Sequence, residues 1–413
     1  MWHTPQSVEE AIGLLSACPA ETPFLATGAA EPPSPSLPLP PEATVVSTAA
    51  LRSIVEHRRD DLTVTVRAGA RVGDLNAELS AAGQWIPVEP RAADLSVGGL
   101  ISSAVPGAFD AAFGPVRRQL LALRLVSGGG REYRWGRPVM KNVAGYDVPR
   151  LACGSFGRLG LITEATFRLW PLPAVSVRHR VEGRGARRVA RALCEGADTT
   201  TATPGMRWSW KAARDDRVDP RQAGDAGHPA NPSQAADHRE HLTLWLLGSE
   251  RSVLARTSAL AELVAAHGME LGAGTSMSAA VPSAAGPLHD AREPRKEPRS
   301  PEDCVLRISS PAASLWELPD RLAEVAGDRL SRMDAYPGSG VLRVEYSRAG
   351  ADARELIDWL LGACEESRVS VERGGPAEHE RVRASRPDVL RELEERVVAA
   401  LGGQPRCWQA DYV

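Results

Sequence analysis

The chain of 413 residues is long enough for two domains, each able to bury its own core. Its 49 Lys and Arg against 52 Asp and Glu leave a formal charge of -3 with no massed basic block, which argues against a nucleic-acid partner. Cys18, Cys153, Cys194, Cys304, Cys364 and Cys407 contain no C-x-x-C spacing, so local pairs cannot assemble a zinc site or an iron-sulfur cluster, and they read as reduced thiols of a cytosolic protein.

The N-terminus has no positive n-region or long apolar h-region, and no apolar stretch reaches bilayer-spanning length. The expected location is cytoplasmic, with any association with the inner membrane running through partners. Ser7-Val-Glu-Glu10 has the form of a capping box, and Val8, Ile12 and Leu15 recur at helical spacing, which predicts a helix over Ser7 to Ala17. Strands are expected over Pro23 to Thr27 and Thr44 to Ser47, flanking a proline-rich loop that ends at Pro41. Leu62, Val64 and Val66 alternate with Thr63, Thr65 and Arg67, a period of two that predicts a strand closed by Gly69. Val72, Leu75 and Leu79 mark a helix stopping near Gly83. Leu120 to Ser127 and Glu132 to Trp135 flank Gly128-Gly-Gly130 as a hairpin, and Leu161 to Leu169 reads as the last strand of this half.

A domain boundary is placed near residue 174, giving domains over 1–174 and 175–413. The second half alternates expected helices (Ala186 to Glu195, Ser252 to His267, Ser314 to Ala326, Ala353 to Glu366, Pro387 to Leu401) with strands (Leu242 to Leu247, Cys304 to Ser309, Gly340 to Tyr346). Two polar inserts, near 212–241 and 272–303, read as surface loops. His238-Arg-Glu-His241 has an H-x-x-H spacing, but the segment lacks a helical apolar face and a nearby third ligand, so no metal site is expected.

The candidate functional residues lie in two glycine-bearing stretches. Gly145, Gly154, Gly157 and Gly160 interrupt an apolar run, a density that fits either a ligand lying against the main chain or a tightly packed turn. Ser96-Val-Gly-Gly-Leu-Ile-Ser-Ser-Ala-Val-Pro-Gly107 is the second stretch. With Ser155-Phe-Gly-Arg-Leu-Gly-Leu-Ile-Thr163, it resembles the FAD-binding domain of the vanillyl-alcohol oxidase and p-cresol methylhydroxylase (PCMH-type) family. Within that family, Val139-Met-Lys-Asn-Val-Ala-Gly-Tyr-Asp147 is similar to the FAD-binding subunits of glycolate oxidases (glycolate dehydrogenases).

The resemblance implies an α+β architecture: a PCMH-type FAD-binding domain of two α/β subdomains, followed by an α+β domain with an antiparallel sheet. It implies noncovalent FAD, because neither Ala26 to Ala30 nor Ser96 to Gly107 contains the histidine or cysteine that attaches flavin in some relatives. The implied cofactor residues are Thr27, Gly28, Ala29 and Ala30 in the first loop, Ser96, Gly98, Gly99, Ser102, Ser103 and Gly107 along the pyrophosphate and ribitol, and Gly157, Leu159, Gly160 and Ile162 near the adenosine. Main-chain N–H groups of Gly98 and Gly99 suit a pyrophosphate. Only Gly28 stands where the family's first loop carries several glycines. Lys141, Tyr146 and Asp147 are polar candidates for catalysis, or for a buried cluster that fixes the loop or docks a partner.

The implied activity is oxidation of a small 2-hydroxy acid to a 2-oxo acid by hydride transfer to flavin, in a complex with a second FAD-linked oxidase subunit and an iron-sulfur subunit. Two alternatives stand beside it: a flavin-deficient subunit that scaffolds a catalytic partner, and a stand-alone FAD-linked oxidase.

Overall fold

A computed structural model of the chain describes residues 1–19, 22, 24–28, 43–88, 90–137, 148–196, 205–212, 238–277, 303–347, 354–363, 368–373 and 396. They build two compact units, one around 1–176 and one from 177–276 and 298–384.

The first unit opens with a small parallel sheet. Strands β1 (Trp2–His3), β2 (Phe24–Thr27) and β3 (Thr44–Ser47) pair in the order β1-β3-β2, with helix α1 (Val8–Ala17) between β1 and β2 in the chain. Helix α1 starts at the expected cap: Ser7 Oγ accepts from the Glu10 N–H at 3.0 Å. The Glu10 carboxylate accepts from the N–H of Gln6 at 2.7 Å, so the box closes one residue ahead of the cap. Val8, Ala11 and Leu15 then face inward against Phe24, Val46, Val126 and Leu161. Burial of Val8 and Leu15 contributes about 1.5–3 kcal/mol each.

The rest of this unit is an antiparallel sheet with short helices. Its elements are β4 (Ile54–Arg58), β5 (Thr63–Arg67), α2 (Val72–Ser80), β6 (Gln84–Trp85), α3 (Val97–Ser103), α4 (Asp110–Phe113), α5 (Val116–Gln119), β7 (Leu120–Val126), β8 (Glu132–Gly136), α6 (Val148–Ala152), β9 (Leu161–Arg168) and β10 (Trp170–Pro171). The five main strands run in the order β4-β5-β9-β7-β8, all neighbours antiparallel. Val64 and Val66 of β5 are fully buried, as the alternation predicts. The hairpin turn between β7 and β8 closes through Gly130 N–H to Ser127 O, with Gly130 at φ +75° against Ser16 of α1. Strand β4 was not expected, because it is an edge strand with exposed Val55 and Glu56 and no inward alternation to read.

Helix α3 was not expected either. Consecutive glycines cost roughly 1 kcal/mol each in a helix interior. The offset comes from outside the segment: Ser96 caps it, Ala104 closes it at φ +44°, and Val97, Leu100 and Ile101 are buried in the core with Val64, Val66, Leu75 and Phe167.

The second unit contains β11 (Val175–Glu182), α7 (Ala186–Glu195), β12 (Gly205–Ala212), β13 (His238–Gly248), α8 (Glu250–Ala266), β14 (Thr275–Met277), β15 (Asp303–Ser309), α9 (Ala312–Leu315), α10 (Leu318–Ala326), β16 (Leu330–Tyr336), β17 (Val341–Ser347), α11 (Arg354–Ala363) and β18 (Arg368–Arg373). One sheet in the order β14-β11-β13-β12-β16-β17-β15-β18 organises it. The β13-β12, β12-β16, β16-β17, β17-β15 and β15-β18 pairs are antiparallel. One face carries Trp208, Leu242, Leu244, Leu306, Ile308, Leu342 and Val344 into a core with Val189, Leu193, Leu260, Val264, Leu322, Ile357 and Leu360 from the helices. The helix expected over Ser314 to Ala326 divides into α9 and α10, the second restarting at Leu318 with Pro319 in its first turn.

The run 139–147, residues 213–237 and 278–302 of the two expected inserts, and the expected helix over 387–401 apart from Arg396 lie outside the described residues. Among the described residues, no helix is long and apolar enough to cross a membrane.

Candidate functional site

In an open parallel arrangement, ligands collect beyond the carboxyl ends of the strands. Here β2 ends at Thr27 and β3 at Ser47, which are register partners. The Thr48 N–H donates to Thr27 O at 2.8 Å, the Thr48 hydroxyl donates to the same oxygen at 3.2 Å, and Ser47 Oγ accepts from the Ala49 N–H at 3.1 Å. Thr27, Ser47 and Thr48 are all buried, so three hydroxyls gather at these strand ends away from bulk water.

Two close backbone approaches bring other loops to the same place. A Cβ on Gly69 would lie 1.7 Å from Thr48 O, and the Gly69 N–H donates to Leu51 O at 2.8 Å. A Cβ on Gly28 would lie 2.0 Å from Ser96 Oγ. Glycine is required at both positions by contact distance. The segment 68–70 then fixes α3: Gly98 N–H donates to Ala68 O at 2.8 Å and Val97 N–H to Ala70 O at 2.9 Å.

These bonds change the chemistry expected at Gly98 and Gly99. The Gly99 N–H donates to Ser96 Oγ at 3.0 Å, so both amides are committed within the protein. They lie in a helix, not a loop, and the expectation of a pyrophosphate held on their N–H groups does not describe this backbone. Ser102 and Ser103 hydroxyls also bond backward, to Gly98 O at 2.8 Å and Gly99 O at 2.7 Å. Gly107 belongs to a turn in which its N–H donates to the Asp110 carboxylate at 3.1 Å and its carbonyl accepts from the Asp110 N–H at 3.1 Å.

The second glycine stretch docks onto the end of α3. Gly154 N–H donates to Ile101 O at 3.1 Å and Phe156 N–H to Ser102 O at 2.9 Å. Gly154 and Gly157 hold φ +78°, and Phe156 between them holds φ +50°. A non-glycine residue in the left-handed region carries strain that its surroundings must impose, here through the bond to Ser102. Gly160, at φ +139°, is a packing position: its Cβ would lie 2.5 Å from Val126 O. Leu159 and Ile162 send their side chains into the core.

The structure therefore gathers Thr27, Gly28 and Ser96, and separately joins Ser102 to the Gly154–Gly157 loop. Ala29, Ala30, Lys141, Tyr146 and Asp147 lie outside the described residues. Sequence reasoning missed Ser47, Thr48, Phe156 and Ala104. For Ser47 and Thr48 a signal existed, a polar pair directly after a predicted strand; for the other two, only the backbone torsions reveal the role.

In the second unit, the H-x-x-H spacing falls in β13, where residues three apart point to opposite faces. His238 instead pairs with Glu240 at 3.3 Å and stacks on Trp210 at 5.6 Å. Burial pushes the Glu240 carboxyl above its usual range, against the pull of Arg187 and His238. Among the described residues, no group of three His, Cys, Asp or Glu could hold a metal ion.

A family model described as an FAD binding domain matches residues 2–136, the segment that contains Thr27, Gly28, Ser47, Thr48, Gly69 and Ser96. The glycolate oxidase subunit GlcE of Escherichia coli (strain K12) is 38% identical over 133 residues, 32% of this chain and 38% of that protein. A probable mitochondrial D-lactate dehydrogenase of Danio rerio is 35% identical over 126 residues, 30% of this chain and 25% of that protein. The matches thus span well under half of either relative. A solved alkyldihydroxyacetonephosphate synthase superposes with a TM-score of 0.61 at 14% identity, covering 98% of this chain and 76% of that one, a likeness of fold alone. The buried hydroxyls at the ends of β2 and β3 and the close main-chain approaches at Gly28 and Gly69 fit a phosphate-bearing cofactor such as FAD.

Proposed function

We propose that this chain, whose N-terminal unit belongs to the PCMH-type FAD-binding family, is the FAD-binding subunit of a glycolate-oxidase-like complex that oxidises a small 2-hydroxy acid to a 2-oxo acid. The observation that carries the reading is the convergence of Thr27, Gly28, Ser47, Thr48 and Ser96 at the carboxyl ends of two parallel strands, inside the segment that matches an FAD binding domain. The names of the relatives, a glycolate oxidase subunit and a D-lactate dehydrogenase, support the substrate class.

Noncovalently bound FAD supplies the hydride acceptor for the C2–H of the acid. Around it, the hydroxyls of Thr27, Ser47 and Ser96 would hold the pyrophosphate end beside the main chain at Gly28, while the Thr48 hydroxyl, which donates to Thr27 O, fixes the strand ends. Ala29 and Ala30 continue that first loop. Helix α3 acts as a brace more than as a donor set, because the Gly98 and Gly99 amides are already engaged. Gly107 and the loop through Gly157 border the ribitol and adenosine parts.

Electrons then leave through partners. The sequence has no C-x-x-C run to carry an iron-sulfur cluster, so the complex includes an iron-sulfur subunit together with a second FAD-linked oxidase subunit. The complex works on the cytoplasmic side and reaches the inner membrane only through those partners.

The test is purification of the full chain alone and with its native partners. The expected result is flavin absorbance, FAD released on denaturation, and glycolate- or D-lactate-dependent reduction of an artificial acceptor only by the complex. A colourless chain that takes up no added FAD overturns the reading in favour of a scaffold. Turnover by the chain alone overturns the subunit assignment in favour of a stand-alone oxidase.

A further inference from the structure

Along β13, His238, Glu240, Leu242 and Leu244 alternate onto one face, and Leu242 and Leu244 lie in the helix-covered core of the second unit. Glu240 therefore sits at the rim of that core, opposite Trp210 of β12 and only 9% exposed. A carboxylate in such a place needs partners, because burial without them disfavours its charged form. His238 Nε2 lies 3.3 Å from Glu240 Oε1. Among the described residues, Oε2 is buried and completes no hydrogen bond, and neither does the nearby Trp208 Nε1–H.

The cation best placed to serve this carboxyl is engaged elsewhere. Arg187, in the first turn of α7, has its guanidinium 6.0 Å from the Trp208 ring, and its charge acts on Glu240. Its Nη2–H nevertheless donates to Asp320 of α10 at 2.7 Å, although the Asp320 side chain is 67% exposed. The first turn of α7 holds no acidic residue, so the helix dipole makes Arg187 dependent on a carboxylate from another element. An exposed ion pair contributes little, whereas an ionised carboxylate buried without a cation is costly. Arg187 on Asp320 is thus the arrangement that suits a protonated Glu240, which agrees with burial pushing that carboxyl above its usual range.

The other described charges on the elements packed here are placed differently. Arg184 and Arg188 are exposed, and Arg191 pairs with Glu195 at 2.7 Å. Arg180 of β11 pairs with Glu182 at 2.9 Å. Lys211 and Arg239 are register partners that alternate onto the opposite face of β12 and β13.

We propose that Arg187 is a proton-controlled clip shared between two carboxylates. While Glu240 carries its proton, Arg187 ties α7 to α10 through Asp320. When Glu240 gives that proton to solvent, Arg187 turns inward, ties α7 to β13 through the new carboxylate and releases α10. Glu240 binds its proton more tightly in the folded chain than in the unfolded one. Its ionisation therefore lowers stability as pH rises from the ordinary glutamate range through the raised folded value, and capture of Arg187 limits that loss.

The test follows the infrared carbonyl band of protonated carboxyl groups in the purified full chain as pH is raised, with Glu240→Gln identifying the part that belongs to Glu240. In the wild type that part should persist above the pH at which an ordinary glutamate loses it. Arg187→Gln removes the cation that the carboxylate would capture, so the band should persist to a pH higher by about one unit. Asp320→Asn removes only the competitor, and the band should be lost at a pH lower by about half a unit. The charges that act on Glu240 directly are those of Arg187 and His238, so a shift produced at Asp320 reads the sharing of Arg187. His238→Gln is the control: it moves the titration itself and should leave the shift from Asp320→Asn in place.

Asp320 is exposed, so its variant is the safest for folding and carries the decision. An Asp320→Asn protein in which Glu240 titrates as in the wild type shows that Arg187 does not leave Asp320, and overturns the proposal. So does an Arg187→Gln protein with an unmoved band, or a wild-type Glu240 that loses its proton in the ordinary glutamate range.

Discussion

The two glycine-bearing stretches of the N-terminal unit, 96–107 and 154–160, resemble each other in composition and use glycine for opposite reasons. In the first, Gly98 sits in α3, where an added Cβ would meet Ala68 Cβ at 3.3 Å and Ala68 O at 3.4 Å, a tight but nearly ordinary contact. In the second, Gly154, Gly157 and Gly160 all hold positive φ, so the torsion itself selects glycine. The stretches meet through the bonds from Gly154 and Phe156 to the end of α3. Glycine density in a sequence thus reports that the backbone is constrained, and the kind of constraint emerges only from what lies against it.

The largest expected effect falls where torsion and proximity act together. Gly160→Ala must place a methyl group 2.5 Å from Val126 O while keeping φ near +139°. Strain of about 1–3 kcal/mol and overpacking of about 1–3 kcal/mol both apply. The variant should unfold at markedly lower denaturant concentration and lose flavin because its first unit is loosened. A Gly160→Ala protein with the wild-type unfolding midpoint would show that the backbone there tolerates a side chain.

A smaller effect is expected at the joint between the first loop and α3. Ser96→Ala removes the cap on the Gly99 N–H, worth about 1 kcal/mol, and the hydroxyl that packs against Gly28. The thermal midpoint should fall by a few degrees and FAD should dissociate faster. Ser96→Asp, which can still cap the helix, should restore much of the midpoint but not the FAD affinity, since a carboxylate would face the pyrophosphate. Equal recovery of both would remove Ser96 from the cofactor site and leave it a helix cap.

Local signals carried much of the fold. The Ser7 cap, the alternation ending in Val64 and Val66, and the glycine turn before Glu132 each involve only near neighbours, so the sequence states them directly. Elements that depend on distant partners were harder. Strand β12 alternates Met206, Trp208 and Trp210 with Arg207, Ser209 and Lys211, but its adjoining polar stretch masks the pattern; β4 is an exposed edge. Helix α3 exists because Ser96 and residues 68–70 organise a glycine pair that local propensity opposes. At the site, Thr27, Gly28 and Ser96 were readable from motif resemblance. Ser47 and Thr48 join them only through the parallel register of β2 and β3.

The smallest expected effect is the sharpest check on the contrast between the stretches. Gly98→Ala adds a methyl group where Ala68 is 3.3 Å away and needs to give only a few tenths of an ångström. In a helix, alanine gains roughly 0.5–1 kcal/mol over glycine, which offsets that crowding to within about 1 kcal/mol. The variant should therefore keep its unfolding midpoint within a few degrees of wild type, whereas Gly160→Ala does not. Its FAD affinity should also change little, because the Gly98 amide is bonded to Ala68 and not offered to a ligand. If Gly98→Ala stays folded but loses flavin, the cofactor approaches α3 more closely than the committed amides imply, and the first stretch would be a ligand cradle after all.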